Sequence, residues 1–249
     1  ITWSKVLPKT LIVGNVNSMI RKLYNKFREI LLNNIIVNNF LILIKRDYLI
    51  KKWQNNWANL NYDHEKSPQE NVGCSHLPEL QKYADETHQI LVKKIEQHFC
   101  KFNSVLDIGC GTGLYLRDFP NNWSKTGVDL NQDFLDVAKG LVPGVNTKHG
   151  DYLNLDFNEK FDLIISIGVL MYIEPSSLKK FFKKMNNDLN RGGKIFFQYS
   201  HALLLIDIYY SDLSYVRYTP RYIEKTIAPF FDVIEHKHFF DDRIVQKYD

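Results

Sequence analysis

Val105-Leu106-Asp107-Ile108-Gly109-Cys110-Gly111-Thr112-Gly113 is the stretch whose reading decides the fold. A short apolar run enters three alternating glycines, and Leu114-Tyr115-Leu116-Arg117-Asp118-Phe119 follows as a predicted helix. Glycine is required where a chain turns sharply and a second group must approach with no Cβ in the way. In open α/β sheets that turn lies beyond the carboxyl end of the first strand, where ligands bind. The spacing is G-x-G-x-G, one residue short of the dinucleotide pattern G-x-G-x-x-G. Taken alone, the run reads equally well as a tight strand–helix turn.

Outward from it, the sequence repeats one grammar. Predicted strands cover 104–109, 125–130, 145–151, 161–168 and 194–200. Predicted helices cover 133–141, 176–190 and 220–229, the second ended by Gly192-Gly193 and the third begun by Thr219-Pro220. Strands alternating with helices at this spacing give parallel pairing, right-handed crossovers and helices on both faces of an open sheet. Residues 232–240 and 242–249 are expected to close the sheet as an antiparallel pair.

Carboxylates stand at the ends of the first three strands. Asp107 precedes the glycines, a poor neighbour for a pyrophosphate but a good one for a cationic amino or sulfonium group. Asp129, in Gly127-Val128-Asp129-Leu130-Asn131, lies 20 residues beyond Gly109, where a carboxylate accepts from both hydroxyls of a ribose. An N-cap role for the next helix is the alternative, and the two are compatible. Asp151, in His149-Gly150-Asp151-Tyr152, is placed to accept from an adenine amino group, or simply to make an Asx-turn. The run Phe161–Ile173 is apolar on both faces, as a central parallel strand should be, and its strand ends in small residues.

VLDIGCGTG, GVDLN, HGDYLNLDF, FDLIISIGVLMYI and LNRGGKIFFQ, in this order, resemble the successive motifs of the class I S-adenosylmethionine-dependent methyltransferases. The likeness covers about residues 86–200 and is specific only when the motifs are taken together. It implies a Rossmann-like, doubly wound, seven-stranded sheet with an antiparallel last strand, and S-adenosyl-L-methionine as cofactor. It implies that Asp107, Gly109, Cys110 and Gly111 flank the methionine part, that Asp129 binds the ribose and that Leu130 lies against the adenine. Asp151 and Tyr152 would border the adenine amino edge, and Ser166, Ile167 and Gly168 would line the path to the methyl group. The (N/D)PP(Y/F) element of many methyltransferases acting on DNA bases or glutamine is absent. The Val169–Ile173 ending looks more like the small-molecule branch of the family. The expected acceptor is therefore an oxygen or nitrogen of a small molecule such as a sugar or metabolite. Candidate general bases are His201, past the fifth strand, and Tyr172, which reads as a cleft-wall aromatic as well.

The first 78 residues form a separate expectation, a helical N-terminal extension and lid ahead of a methyltransferase domain over 79–249. Apolar residues Ile20, Leu23, Tyr24, Phe27, Leu31 and Ile35 recur at helical spacing within a predicted helix over 18–50. Residues 53–78 lose the period and read as a loop or lid carrying Trp53, Trp57 and Tyr62, and helix returns over 79–99. Residues 1–60 hold ten Lys or Arg against Glu29 and Asp47 only, although the whole chain is at +4. A charge run of this kind is either a solvated face or a surface that meets anionic lipid or phosphate. Peripheral contact with an anionic membrane, with a lipid or quinone precursor as acceptor, is the second expectation. RNA bound by the same basic helix is the weaker half of this second expectation, because the helix has few stacking aromatics in a reading arrangement. A third reading is a cofactor-binding partner subunit without catalysis.

Cys74, Cys100 and Cys110 form no C-x-x-C pair, which points away from a disulfide framework or a zinc site and toward a reducing, cytoplasmic setting. No metal is expected. Leu31–Ile44 is interrupted by four asparagines and is shorter than the roughly 20 residues a bilayer span needs. No secretory leader is read at the start, which is ITWSK.

Overall fold

The computed structural model describes residues 50–72, 86–91, 93, 97, 99, 101–199 and 218–235. Five parallel strands form one sheet: β1 (Ser104–Ile108), β2 (Ser124–Asp129), β3 (Asn146–His149), β4 (Phe161–Ser166) and β5 (Leu189–Phe197). Their order is β3-β2-β1-β4-β5. β1 is buried along its whole length, as a strand flanked on both edges and both faces must be.

Side chains alternate across the sheet into two cores. Leu106, Ile108, Val128 and Ile164 meet helix α2 (Pro175–Asp188) and helix α3 (Pro220–Ile227), which contribute Leu178, Phe181, Phe182, Met185, Ile223 and Ile227. Val105, Leu163 and Ile165 point the other way, toward Leu135 of helix α1 (Gln132–Leu141), Leu116, and Leu91 and Phe99 from the stretch before β1. This is the doubly wound arrangement read from the sequence. Thr219 caps α3 through Tyr222 N, with Pro220 in the first turn, as expected.

Four sequence expectations need correction. The helix predicted over 114–119 is only a 3₁₀ turn, Leu116–Asp118, because Pro120 forces Phe119 into extended backbone (ψ 148°). Gly192-Gly193 do not end α2. That helix stops at Asp188, β5 starts at once, and the glycines sit in an irregularity where Phe161 faces Leu189 but Leu163 faces Lys194. Gly192 takes φ +82° there, and a Cβ on Gly193 would stand 2.9 Å from Asn190 O.

The stretch read as a loop from residue 53 is helical over 50–58 and again over Pro68–Asn71. Within the predicted antiparallel closing pair, residues 232–235 are irregular, and 236–249 lie outside the described residues. The expectation of seven strands with an antiparallel last strand therefore rests on residues outside that description. Nearly all of the predicted 18–50 helix, parts of the 79–99 helix and His201 lie outside it as well. Among the described residues, no helix is long and apolar enough to cross a membrane.

Candidate active site

The glycine loop is built by β1 and clamped by β2. Gly109 N and Cys110 N both donate to Val128 O, at 2.7 and 3.0 Å. Gly109, Gly111 and Gly113 take φ of 73°, 52° and 78°, in the left-handed region that glycine alone enters without strain. Close packing reinforces this at Gly109, where a Cβ would stand 2.2 Å from Val169 Cγ2.

Asp129, at the tip of β2, ties three pieces together. Its Oδ2 accepts from Gly111 N at 2.8 Å and its Oδ1 from Asn131 N at 2.9 Å. With a further backbone N–H from Leu130, three donors meet four lone-pair sites, which leaves room for a hydroxyl. The helix cap is not Asp129 but Asn131, whose Oδ1 accepts from Phe134 N at 3.0 Å.

Asp107 is 1% exposed, and its Oδ2 has no hydrogen-bond partner. Burial first, and the nearby Asp129 charge second, push its carboxyl well above the usual range. Burial also raises Asp129, against the backbone N–H groups of Asn131, Gly111 and Leu130 that hold it down. A buried carboxyl with an unpaired oxygen, next to a second carboxylate, is a site that a cation completes. An amino acid-bearing sulfonium nucleoside offers cationic groups and two ribose hydroxyls, so these residues fit S-adenosylmethionine.

Ser166 ends β4 with its Oγ buried and unpartnered, Gln198 Nε2 is likewise unpartnered, and Gln198 N donates to Ser166 O at 3.0 Å. Ile167 packs against the second core, and Gly168 has open space where a Cβ would be (φ +74°). Leu130 is partly exposed, and its carbonyl meets His149 Nε2 at 2.9 Å.

Some residues named from the sequence contribute differently. Cys110 turns its thiol into the core, close enough that a Cβ on Gly127 would stand 2.7 Å from Sγ, and the thiol donates to Gly111 O at 3.6 Å. Tyr152 is also buried: its ring packs on Phe181, and its hydroxyl donates to Asp188 Oδ2 of α2 at 2.7 Å. That hydroxyl is directed at the helix. Asp151 spends its oxygens locally, Oδ1 on Leu153 N and Oδ2 on Asn154 Nδ2, as an Asx-turn does.

Residues 50–72 lie across these strand tips. Asn131 Nδ2 donates to Trp57 O at 2.8 Å and to Leu60 O at 2.6 Å. Gln54 Nε2 donates to Tyr172 O at 2.9 Å, and the Trp57 and Tyr172 rings meet edge-on at 6.1 Å. Tyr62 packs edge-on against Phe134, and Val72 Cγ1 stands 3.0 Å from where a Cβ on Gly111 would be. The segment is tied internally by Asn71, which donates to Asp63 O and accepts from Asp63 N, and by the Ser67–Glu70 capping box. Neither Gln54 nor Val72 carries a local signal for this role. Asn131 carried one, an Asn before a helix, but nothing in the sequence pointed to its second set of partners.

Residues 105–193 match the family model described as a methyltransferase domain. Over that stretch the fold and the strand-tip residues are similar to those of methyltransferase domains. Malonyl-[acyl-carrier protein] O-methyltransferase 2 of Ilyobacter polytropus is 30% identical over 132 residues, 47% of this chain and 46% of that protein. dTDP-3-amino-3,4,6-trideoxy-alpha-D-glucopyranose N,N-dimethyltransferase of Streptomyces venezuelae is 32% identical over 66 residues, 26% of this chain and 28% of that one. The chain spans less than half the length of these relatives. Among solved structures, the N-methyltransferase NodS of Bradyrhizobium japonicum, in complex with S-adenosyl-L-homocysteine, aligns with a TM-score of 0.53 at 16% identity. That alignment covers 73% of this chain and 85% of NodS, and it shows a shared fold.

Proposed function

We propose that this protein transfers a methyl group from S-adenosylmethionine to an oxygen or nitrogen of a small molecule, a sugar or another metabolite. The observation that carries the reading is Asp107, a buried carboxyl with an unpaired oxygen beside Asp129, next to a loop whose three glycines take positive φ. The cofactor supplies a methyl on a cationic sulfur, already a strong electrophile. The protein's own task is placement. Asp129 would hold the ribose, Asp107 would face the cationic groups of the methionine part, and Gly109 and Gly111 would let the chain approach closely. Ser166, Ile167 and Gly168 would border the passage from acceptor to methyl. Fixing two reactants at near-attack distance is worth up to about 7–11 kcal/mol when alignment is good. For a hydroxyl acceptor, Tyr172 is the candidate base among the described residues. Residues 50–72 would exclude water, a recurrent task of such segments.

The relatives support both acceptor atoms: one is named for O-methylation of an acyl-carrier-bound malonyl group, another for N-methylation of an amino sugar. The test is incubation with methyl-labelled cofactor and fractionated cell extract. Label entering a low-molecular-mass fraction supports the reading, and label entering only protein, lipid or RNA rejects the small-molecule acceptor. The excess of basic residues in 1–60 supports contact with an anionic membrane as a second reading, which co-flotation with anionic but not zwitterionic vesicles would test.

A further inference from the structure

We infer that Asn131 is a positioning residue that latches the 50–72 segment over the bound nucleoside, so that closing the roof and holding the ribose are one event. The inference rests on the cofactor site proposed above. Asn131 is 2% exposed, and every polar atom of its side chain is engaged. Its Oδ1 holds the first turn of α1, and its Nδ2 holds two carbonyls, those of Trp57 and Leu60, more than 70 residues away in sequence. Its backbone N–H is bound to Asp129, whose other oxygen is bound to Gly111. Glycine loop, ribose carboxylate, helix start and roof are thus joined by consecutive hydrogen bonds through two neighbouring side chains.

The roof has a second anchor on the far side of β1. Gln54 holds the carbonyl of Tyr172, just beyond β4, and Trp57 lies against the Tyr172 ring. The segment therefore spans from the tip of β2 to the loop after β4, passing Gly111 at Val72. Its internal bonds through Asn71 and the capping box tie residues 63–72 into one shape, so that part moves as a piece. A preformed roof held at two points leaves the nucleoside only when an anchor opens. A small shift of Asp129 on binding ribose is passed directly to the stronger anchor.

The experiment compares the wild-type chain with Asn131→Ser and Gln54→Met. Serine keeps the helix cap but cannot reach the two roof carbonyls. Gln54→Met removes the other anchor without touching β2. S-adenosylhomocysteine release is read by stopped-flow tryptophan fluorescence, and trypsin cleavage after Lys66, an exposed lysine in the roof, is followed by mass spectrometry. Release about tenfold or more faster in Asn131→Ser at nearly unchanged melting temperature supports the latch. So does loss of the protection that S-adenosylhomocysteine gives Lys66. Gln54→Met should accelerate release in the same direction and by less. Release within twofold of wild type in both variants, with Lys66 still protected, overturns it. If the wild-type chain does not bind S-adenosylhomocysteine, the site reading itself fails, and that outcome is distinct from a latch that binds but does not control release.

Discussion

At the scale of the residue, Asp107 and Asp129 are held in opposite ways. Asp129 is held by backbone N–H groups and keeps lone pairs for hydroxyls, whereas Asp107 is surrounded and short of a partner. Asp129→Ala should weaken S-adenosylhomocysteine binding by about 1.5–3 kcal/mol, the range for a charge-assisted hydrogen-bonded contact. Isothermal calorimetry checks it, and unchanged affinity would remove Asp129 from the ribose. Asp107 makes a separate prediction. Its folded-state pKa lies above the unfolded value, so the folded chain keeps that proton to a higher pH than the unfolded chain does. Stability from this group is full below the ordinary carboxylate pKa and declines as pH rises toward the raised value. A bound cation reverses the shift, so binding a cationic ligand within that window should release a proton. Binding enthalpies in two buffers of different ionisation enthalpy should therefore differ, and equal enthalpies would place the cation elsewhere.

At the scale of the element, the strands and their parallel pairing were readable and the helix ends were not. β1 and β4 are short, largely apolar runs followed by or ending in small residues, and burial on both faces leaves little else they could be. The loop after β1 was misread as helix because the apolar pattern of 114–119 continues up to Pro120, and periodicity alone does not register how few residues remain. Gly192-Gly193 look like a helix stop but serve a strand irregularity, because glycine is wanted wherever φ is positive, in either context. Tyr152 sits in a motif that pointed at the cofactor. Its partner Asp188 lies 36 residues away, a distance no local pattern encodes. The packing of the glycine loop on β2 gives a prediction of this scale. A Cβ on Gly127 would fall 2.7 Å from Cys110 Sγ and 3.2 Å from Leu116 Cδ1. Gly127→Ala should then destabilise the domain by about 1–3 kcal/mol, as overpacking does. A urea midpoint unchanged from wild type would show that the loop can lift at no cost.

At the scale of the whole molecule, the sheet presents carboxylates, glycines and small residues at one end, and residues 50–72 cross that end. The sequence made the first of these legible through residue type and spacing. The second depends on pairs such as Gln54 with Tyr172, 118 residues apart, and became visible only in three dimensions. A ligand that binds the folded chain alone stabilises it by mass action. S-adenosylhomocysteine at about a hundred times its dissociation constant should add about 2.7 kcal/mol, a rise of about 5–10 °C in melting temperature for a domain of this size. A scan without a shift would argue against a nucleoside site on this sheet.

The inward-turned sulfur of Cys110 offers a last use. Burial raises its thiol pKa and leaves little surface for a reagent, so the thiolate that alkylating agents attack is scarce in the native state. Modification of Cys110 by iodoacetamide, followed on its own tryptic peptide, should then proceed only through openings that part the loop from β2. Its rate would serve as a stopwatch for those excursions, slowed by anything that fills the cleft and quickened by denaturant well before the chain unfolds.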